Sequence, residues 1–202
     1  MARVLIVGGG CRGRRLAGGL LREGHAARVV TRTQDGRAAI EACGAECLIG
    51  DPGRLGSLRD ALDGVTIACW LLARATGAPE EVHALHGPRL EAFMALAIDS
   101  TMRGFVYEAP AGEADAAGEA DAEGAPTRED APTSEGERIV KRMAARNAIP
   151  VSYVRADPAD SDAWLMAATG AVRRLLDPGN PTAVRYHRHN PQNQIRIRRQ
   201  RG

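Results

Sequence analysis

The chain has 202 residues, a formal net charge of +2, and 44% hydrophobic but only 3% aromatic residues. That is enough apolar material for one aliphatic, alanine-rich core, and so small a net charge gives no argument for a nucleic-acid partner or a membrane surface. No run approaches the roughly 20 apolar residues that span a bilayer, and the first apolar stretch ends at Gly8, too early for a signal peptide, so a cytoplasmic protein is expected.

The chain opens with Arg3 to Val7, a β-branched run that reads as a strand buried on both faces. A helix follows with Leu16, Leu20 and Leu21 on one side, stopping at Gly24. Ala27 to Arg32 is a second strand, Asp35 to Gly44 a second helix and Glu46 to Gly50 a third strand. Leu55 to Gly64 is expected to be helical, Val65 to Leu72 is a fourth strand, and Glu80 to Met102 reads as helix with a break at Gly87-Pro88. Gly104 to Ala109 is the fifth strand. After the loop discussed next come a helix from Glu137 to Ile149, a sixth strand from Val151 to Ala156 and a last helix from Asp162 to Leu176, with acids at its start. Strands alternating with helices at this spacing imply parallel β-α-β units with right-handed crossovers, hence an α/β doubly wound sheet in three layers, α/β/α.

Two segments stand apart. Residues 111–136 contain GEADA twice, offer almost nothing to bury, and read as an acidic low-complexity loop to which a protein partner could bind. Beyond Asp177 no acid occurs, and residues 178–202 read as a disordered basic tail; its His187 and His189 carry no motif or stacking platform for nucleic acid. Residues 1–177 are therefore expected to be the folded domain.

Gly8, Gly10 and Gly13 fit G-x-G-x-x-G, and they lie where its mechanism requires, after a first strand and at the mouth of a helix. Gly8 would make the tight turn, Gly10 would let a pyrophosphate approach, and Gly13 would pack helix on strand, with the helix N-terminus beyond Cys11 and Arg12 holding the diphosphate. A ligand-free glycine turn is the alternative. NAD sites place an acid at the end of the second strand, whereas here stand Thr31, Arg32 and Thr33, with no acid before Asp35. Arg32, helped by Arg12 or Arg14, suits a 2′-phosphate, so NADP is favoured over NAD. The alternative is that Arg32 is one more solvated arginine.

The other constellations are weak. Cys11, Cys43, Cys47 and Cys69 are expected to be reduced thiols. Cys43 with Cys47, and His83 with His86, have helical spacing but lack companion ligands, so no metal is expected.

Four stretches, Val4 to Arg32, Gly50 to Val65, Arg103 to Gly112 and Glu137 to Pro158, resemble in order and spacing the atypical and extended short-chain dehydrogenase/reductases, among them epimerase/dehydratase-like and NmrA-like members. The resemblance covers about Ala2 to Pro158 and implies a Rossmann sheet with strand order 3-2-1-4-5-6. It also implies that Asp51 of the pair Gly50-Asp51 contacts adenine, and that Leu71, Leu72 and Ala73 line the cofactor. The family's Tyr-x-x-x-Lys relay is absent: Lys141 is the only lysine, and Glu137 stands four residues before it. The family's serine after strand five is missing too, since that segment reads Phe105 to Gly112 without one.

Glu108 and Tyr107 are the candidate catalytic substitutes. Glu108 ranks first because ligands gather at the C-terminal edge of such sheets, whereas Tyr107 also suits strand packing and Lys141 a solvated helix face. The expectation is an NADP-dependent oxidoreductase acting on a small carbonyl or quinone, the alternative a non-catalytic dinucleotide-binding redox sensor. The short sequence after strand six leaves little to hold a nucleotide-sugar.

Overall fold

A computed structural model describes residues 1–109, 134–157 and 159–177. The acidic repeat and the basic tail with its two histidines lie outside the described residues. The elements are β1 (Arg3–Val7), α1 (Cys11–Arg22), β2 (Ala26–Thr31), α2 (Asp35–Glu41), β3 (Glu46–Ile49), β4 (Ile67–Trp70), α3 (Pro79–His86), α4 (Pro88–Ile98), β5 (Gly104–Glu108), α5 (Glu135–Asn147), β6 (Val151–Val154) and α6 (Ser161–Leu176). The six strands form one parallel sheet in the order β3-β2-β1-β4-β5-β6. The doubly wound Rossmann order expected from the resemblance is the one observed.

Alternation along β1 divides the core. Val4 and Ile6 face a layer built from α1 (Leu16, Leu20), α2 (Ile40) and α6 (Trp164, Ala168, Val172). Leu5 and Val7 face the opposite layer, with α4 (Phe93, Met94) and α5 (Ile139, Val140). Both faces of the sheet's centre are covered, which is why β4 and β1 from Val4 onward are continuously apolar. Each fully buried Leu, Ile, Val or Phe contributes about 1.5–3 kcal/mol of transfer free energy. The few aromatics concentrate on the second face, where Trp70 stacks at 4.8 Å on Phe93.

Three local features differ from the sequence expectation or sharpen it. Leu55 to Gly64 is not an α-helix but two short 3-10 turns, Leu55–Leu58 and Asp60–Leu62. Close by, the guanidinium of Arg28 in β2 donates to the carbonyls of Asp60, Ala61 and Asp63 at 3.2, 2.7 and 3.1 Å, and its Nε lies 2.9 Å from a Glu46 carboxylate oxygen. Three carbonyls and a carboxylate thus surround the charge that Arg28 brings into an otherwise apolar strand. Residues 134–136, assigned from sequence to the acidic loop, form the cap and first turn of α5: Ser134 Oγ accepts from the Glu137 N–H at 3.2 Å. The break at Gly87-Pro88 separates α3 from α4 as expected.

Candidate functional site

The turn after β1 is wedged between two strand ends. Gly8 has φ +136°, and a Cβ there would lie 2.6 Å from the Leu71 carbonyl oxygen; one on Gly9 would lie 2.6 Å from that of Val30. Gly13 packs against the Gly8 carbonyl oxygen, where no side chain fits. Gly10 is different, since a Cβ there would meet nothing within 4 Å. It is the N-cap of α1, it offers no side-chain acceptor, and the first turn contains no acid. A helix N-terminus whose leading N–H groups lack a side-chain cap, opening onto free space, attracts an anion through those N–H groups and the helix dipole.

That space is a cavity of about 690 Å³ at the C-terminal edge of the sheet, within the size range of small-molecule and cofactor sites. Its floor is the turn from Gly8 to Gly13, with Cys11 and Arg12. The wall after β2 carries Thr31, Arg32 and Thr33, with Arg14 beside them; the wall after β3 carries Gly50 and Asp51. Leu71 and Leu72 close the side after β4. Asp51 is the only carboxylate in the lining among the described residues, and one of its oxygens accepts from the Gly53 N–H at 2.8 Å. Arg32 is exposed and makes no ion pair with a described residue. Arg14 donates to the Gly9 carbonyl at 3.2 Å.

Every cofactor-binding residue expected from the sequence therefore lies on this cavity except Ala73, whose side chain is not in the lining and whose N–H donates to Glu108 Oε2 at 3.2 Å.

The two candidate acids lie behind the lining. Glu108 is 3% exposed. Its Oε1 accepts from Arg12 Nη1 at 2.7 Å and from Trp164 Nε1 at 2.6 Å. Tyr107 is fully buried, with its hydroxyl 2.8 Å from His86 Nδ1. His86 Nε2 lies 3.2 Å from the Leu72 carbonyl. A carbonyl only accepts, so a neutral His86 carries its proton on Nε2, donates it to the Leu72 carbonyl, and accepts a hydrogen bond from the Tyr107 O–H at Nδ1.

Lys141 is exposed on α5. Glu137, four residues earlier, is 2% exposed and pairs with Arg155 at 3.3 Å. Next to them the phenol of Tyr153 is pushed above its ordinary range, first by burial and then by the Glu137 charge, with Arg155 opposing. The two histidines of α3 part company: His83 reaches Glu135 at 3.4 Å on the surface while His86 turns inward. Among the described residues no group of three or more His, Cys, Asp or Glu is placed to hold a metal, and no helix is long and apolar enough to cross a membrane.

Arg74, Thr76, Leu85, Ser161 and Trp164 also line the cavity, and sequence reasoning missed them. Trp164 lies in the last helix expected from the sequence, and nothing in its spacing says that its ring stacks under Arg12 at the cavity. The loop after β4 carries no motif of its own.

No family model and no curated protein matches the chain. Solved structures do. The crystal structure of gox2253 aligns over 77% of this chain and 51% of its own, at TM-score 0.60 and 22% identity. A short-chain dehydrogenase/reductase superfamily protein from Agrobacterium tumefaciens with bound NAD aligns over 76% and 48%, at 0.58 and 22%. The Citrobacter sp. triphenylmethane reductase complexed with NADP(H) aligns over 75% and 48%, at 0.52 and 18%. At such identities the likeness is one of fold, and the chain spans about half the length of these proteins.

Proposed function

We propose that the cavity holds a nicotinamide dinucleotide, NADP(H) in preference to NAD(H), and that the chain is an oxidoreductase of short-chain dehydrogenase type acting on a small carbonyl or quinone. The observation that carries the reading is the side-chain-free N-terminus of α1, open at Gly10, facing a cavity whose rim after β2 bears Arg32 and no carboxylate. Two of the structures that share the fold contain NAD or NADP(H), which supports it.

In this reading the first turn of α1 takes the diphosphate, Arg32 with Arg14 reads the 2′-phosphate, Asp51 sits by the adenine, and Leu71 and Leu72 guide the chain of the cofactor toward β4. The cofactor supplies the hydride. The protein supplies orientation and keeps water from the apolar side of the cavity. A quinone suits this arrangement better than a simple ketone, since its two-electron product is a phenolate that needs no proton in the hydride step, and the described lining carries neither tyrosine nor lysine.

The second reading, a non-catalytic dinucleotide sensor of NmrA-like type, is favoured by one observation: Tyr107 and Glu108 are both engaged behind the lining. Titration with NADPH and NADH, followed by an NADPH-oxidation screen over quinones and small aldehydes, separates the two. Binding with turnover of any acceptor supports the enzyme, binding without turnover supports the sensor, and absence of binding overturns both.

A further inference from the structure

We infer that Glu108 is a positioning residue for the anion-binding end of the cavity, aiming Arg12 at the dinucleotide rather than exchanging a proton with a substrate; the inference rests on the dinucleotide reading above. Glu108 ends β5, yet it touches three other parts of the chain. One oxygen takes both Arg12 Nη1 of α1 at 2.7 Å and Trp164 Nε1 of α6 at 2.6 Å, and the other takes the Ala73 N–H after β4 at 3.2 Å. Each of these partners is a donor and none can accept. A protonated carboxyl would point its O–H at a donor, so the geometry suits a carboxylate that stays an acceptor and does not suit a general acid.

The consequence falls on Arg12. Its guanidinium lies over the Trp164 ring, 4.8 Å from the centroid, while the same ring donates its N–H to the carboxylate that holds the cation. A long and otherwise mobile side chain is thereby fixed at the second residue of α1. It is 19% exposed and lines the cavity, and its other N–H groups meet no acceptor among the described residues. Those groups are the ones that would meet phosphate oxygens. Through Ala73 the same carboxylate steadies the segment after Leu71 and Leu72, so two walls of the cavity depend on one buried group.

Two effects of removing the charge oppose each other. A carboxylate close to an anion site repels the anion, so its loss could tighten binding. Loss of the anchor frees Arg12, which weakens binding. The repulsion is largely cancelled by the ion pair, so positioning should dominate.

The test measures NADPH and NADH affinity by calorimetry, with melting temperature, for the full chain and for Glu108→Gln, Arg12→Gln and the double variant. Each single variant should weaken both cofactors by about tenfold, the size of one charge-assisted hydrogen bond. The double variant should bind no more weakly than Arg12→Gln alone, because the two residues act as one unit. Unchanged or tighter binding in Glu108→Gln, or losses that multiply in the double variant, would overturn the inference. If Glu108→Gln does not fold, Arg12→Lys decides: it keeps the charge but loses the fork that serves carboxylate and ligand together, so weaker NADPH binding at an unchanged melting temperature supports the proposal and unchanged affinity overturns it. A wild-type chain that binds neither cofactor overturns the functional reading itself, whereas a wild type that binds, with an indifferent Glu108→Gln, overturns only the role given to Glu108.

Discussion

Gly13 lies so close to the carbonyl oxygen of Gly8 that no methyl group fits between them, while three residues earlier Gly10 faces open space. The same motif thus contains a packing glycine and one that opens onto free space, and under the proposed dinucleotide reading they should fail differently. Gly13→Ala must push α1 away from the end of β1, lowering the melting temperature and dinucleotide affinity together. Gly10→Val keeps an extended backbone that valine tolerates, at φ −66° and ψ −175°, and costs about 1 kcal/mol at the cap. Its isopropyl group would stand where a diphosphate must approach. Calorimetry should show binding lost with the fold retained, and undiminished binding in Gly10→Val would reject the assignment of the turn.

Arg32 should decide between the two cofactors. It is exposed, makes no ion pair with a described residue, and stands at the end of β2 with no carboxylate beside it. Arg32→Ala is expected to weaken NADPH by about 1.5 kcal/mol, the lower end for a charged hydrogen bond because water screens the site, and to leave NADH nearly untouched. Equal losses for the two would mean that Arg32 does not read the 2′-phosphate.

The parallel sheet and the glycine turn were legible in the sequence because each follows from local pattern: period-two or continuous apolar runs, helix stops, and glycines where a turn has no room for a side chain; the strand order was implied by the family resemblance, not by that pattern. What was illegible came from contacts across the chain. Arg28 looks like a stray charge in a strand until the carbonyls of Asp60, Ala61 and Asp63 are seen around it. Glu108 looks like an acid at a catalytic edge until donors 96 and 56 residues distant converge on it. Neither the partner nor the burial of such a group is written in its neighbours along the chain.

Glu23, the C-cap of α1, is held by Arg173 of α6 through two hydrogen bonds, at 3.1 and 2.6 Å. The Arg173 hydrogen bond holds its carboxyl below the ordinary value of 4.5, burial opposing. A folded value below the unfolded one means that the contribution is present above about pH 4.5 and is lost as the pH falls through the lower folded value. Glu23→Gln should therefore lower stability slightly near neutrality and flatten the acid limb of a plot of melting temperature against pH from 3 to 7. An acid limb identical to wild type would show that the pair adds nothing measurable.

The cysteines offer a footprint of the site. Cys11 is exposed in the first turn of α1 and lines the cavity. Cys69 is fully buried in β4, where burial pushes its thiol well above the ordinary range. Cys43 and Cys47 are half-buried, Cys43 donating to the Ile40 carbonyl and Cys47 raised by burial. Because the thiolate is the reacting form, a charged aromatic disulfide reagent should modify Cys11 first, Cys43 and Cys47 more slowly, and Cys69 only after unfolding. Cys11→Ser should delete the fast phase. A diphosphate seated on α1 would cover Cys11 and none of the others, so saturating NADPH should slow the fast phase selectively. If calorimetry reports NADPH binding while the Cys11 rate stays unchanged, the diphosphate does not sit at the N-terminus of α1, whatever else the cavity holds.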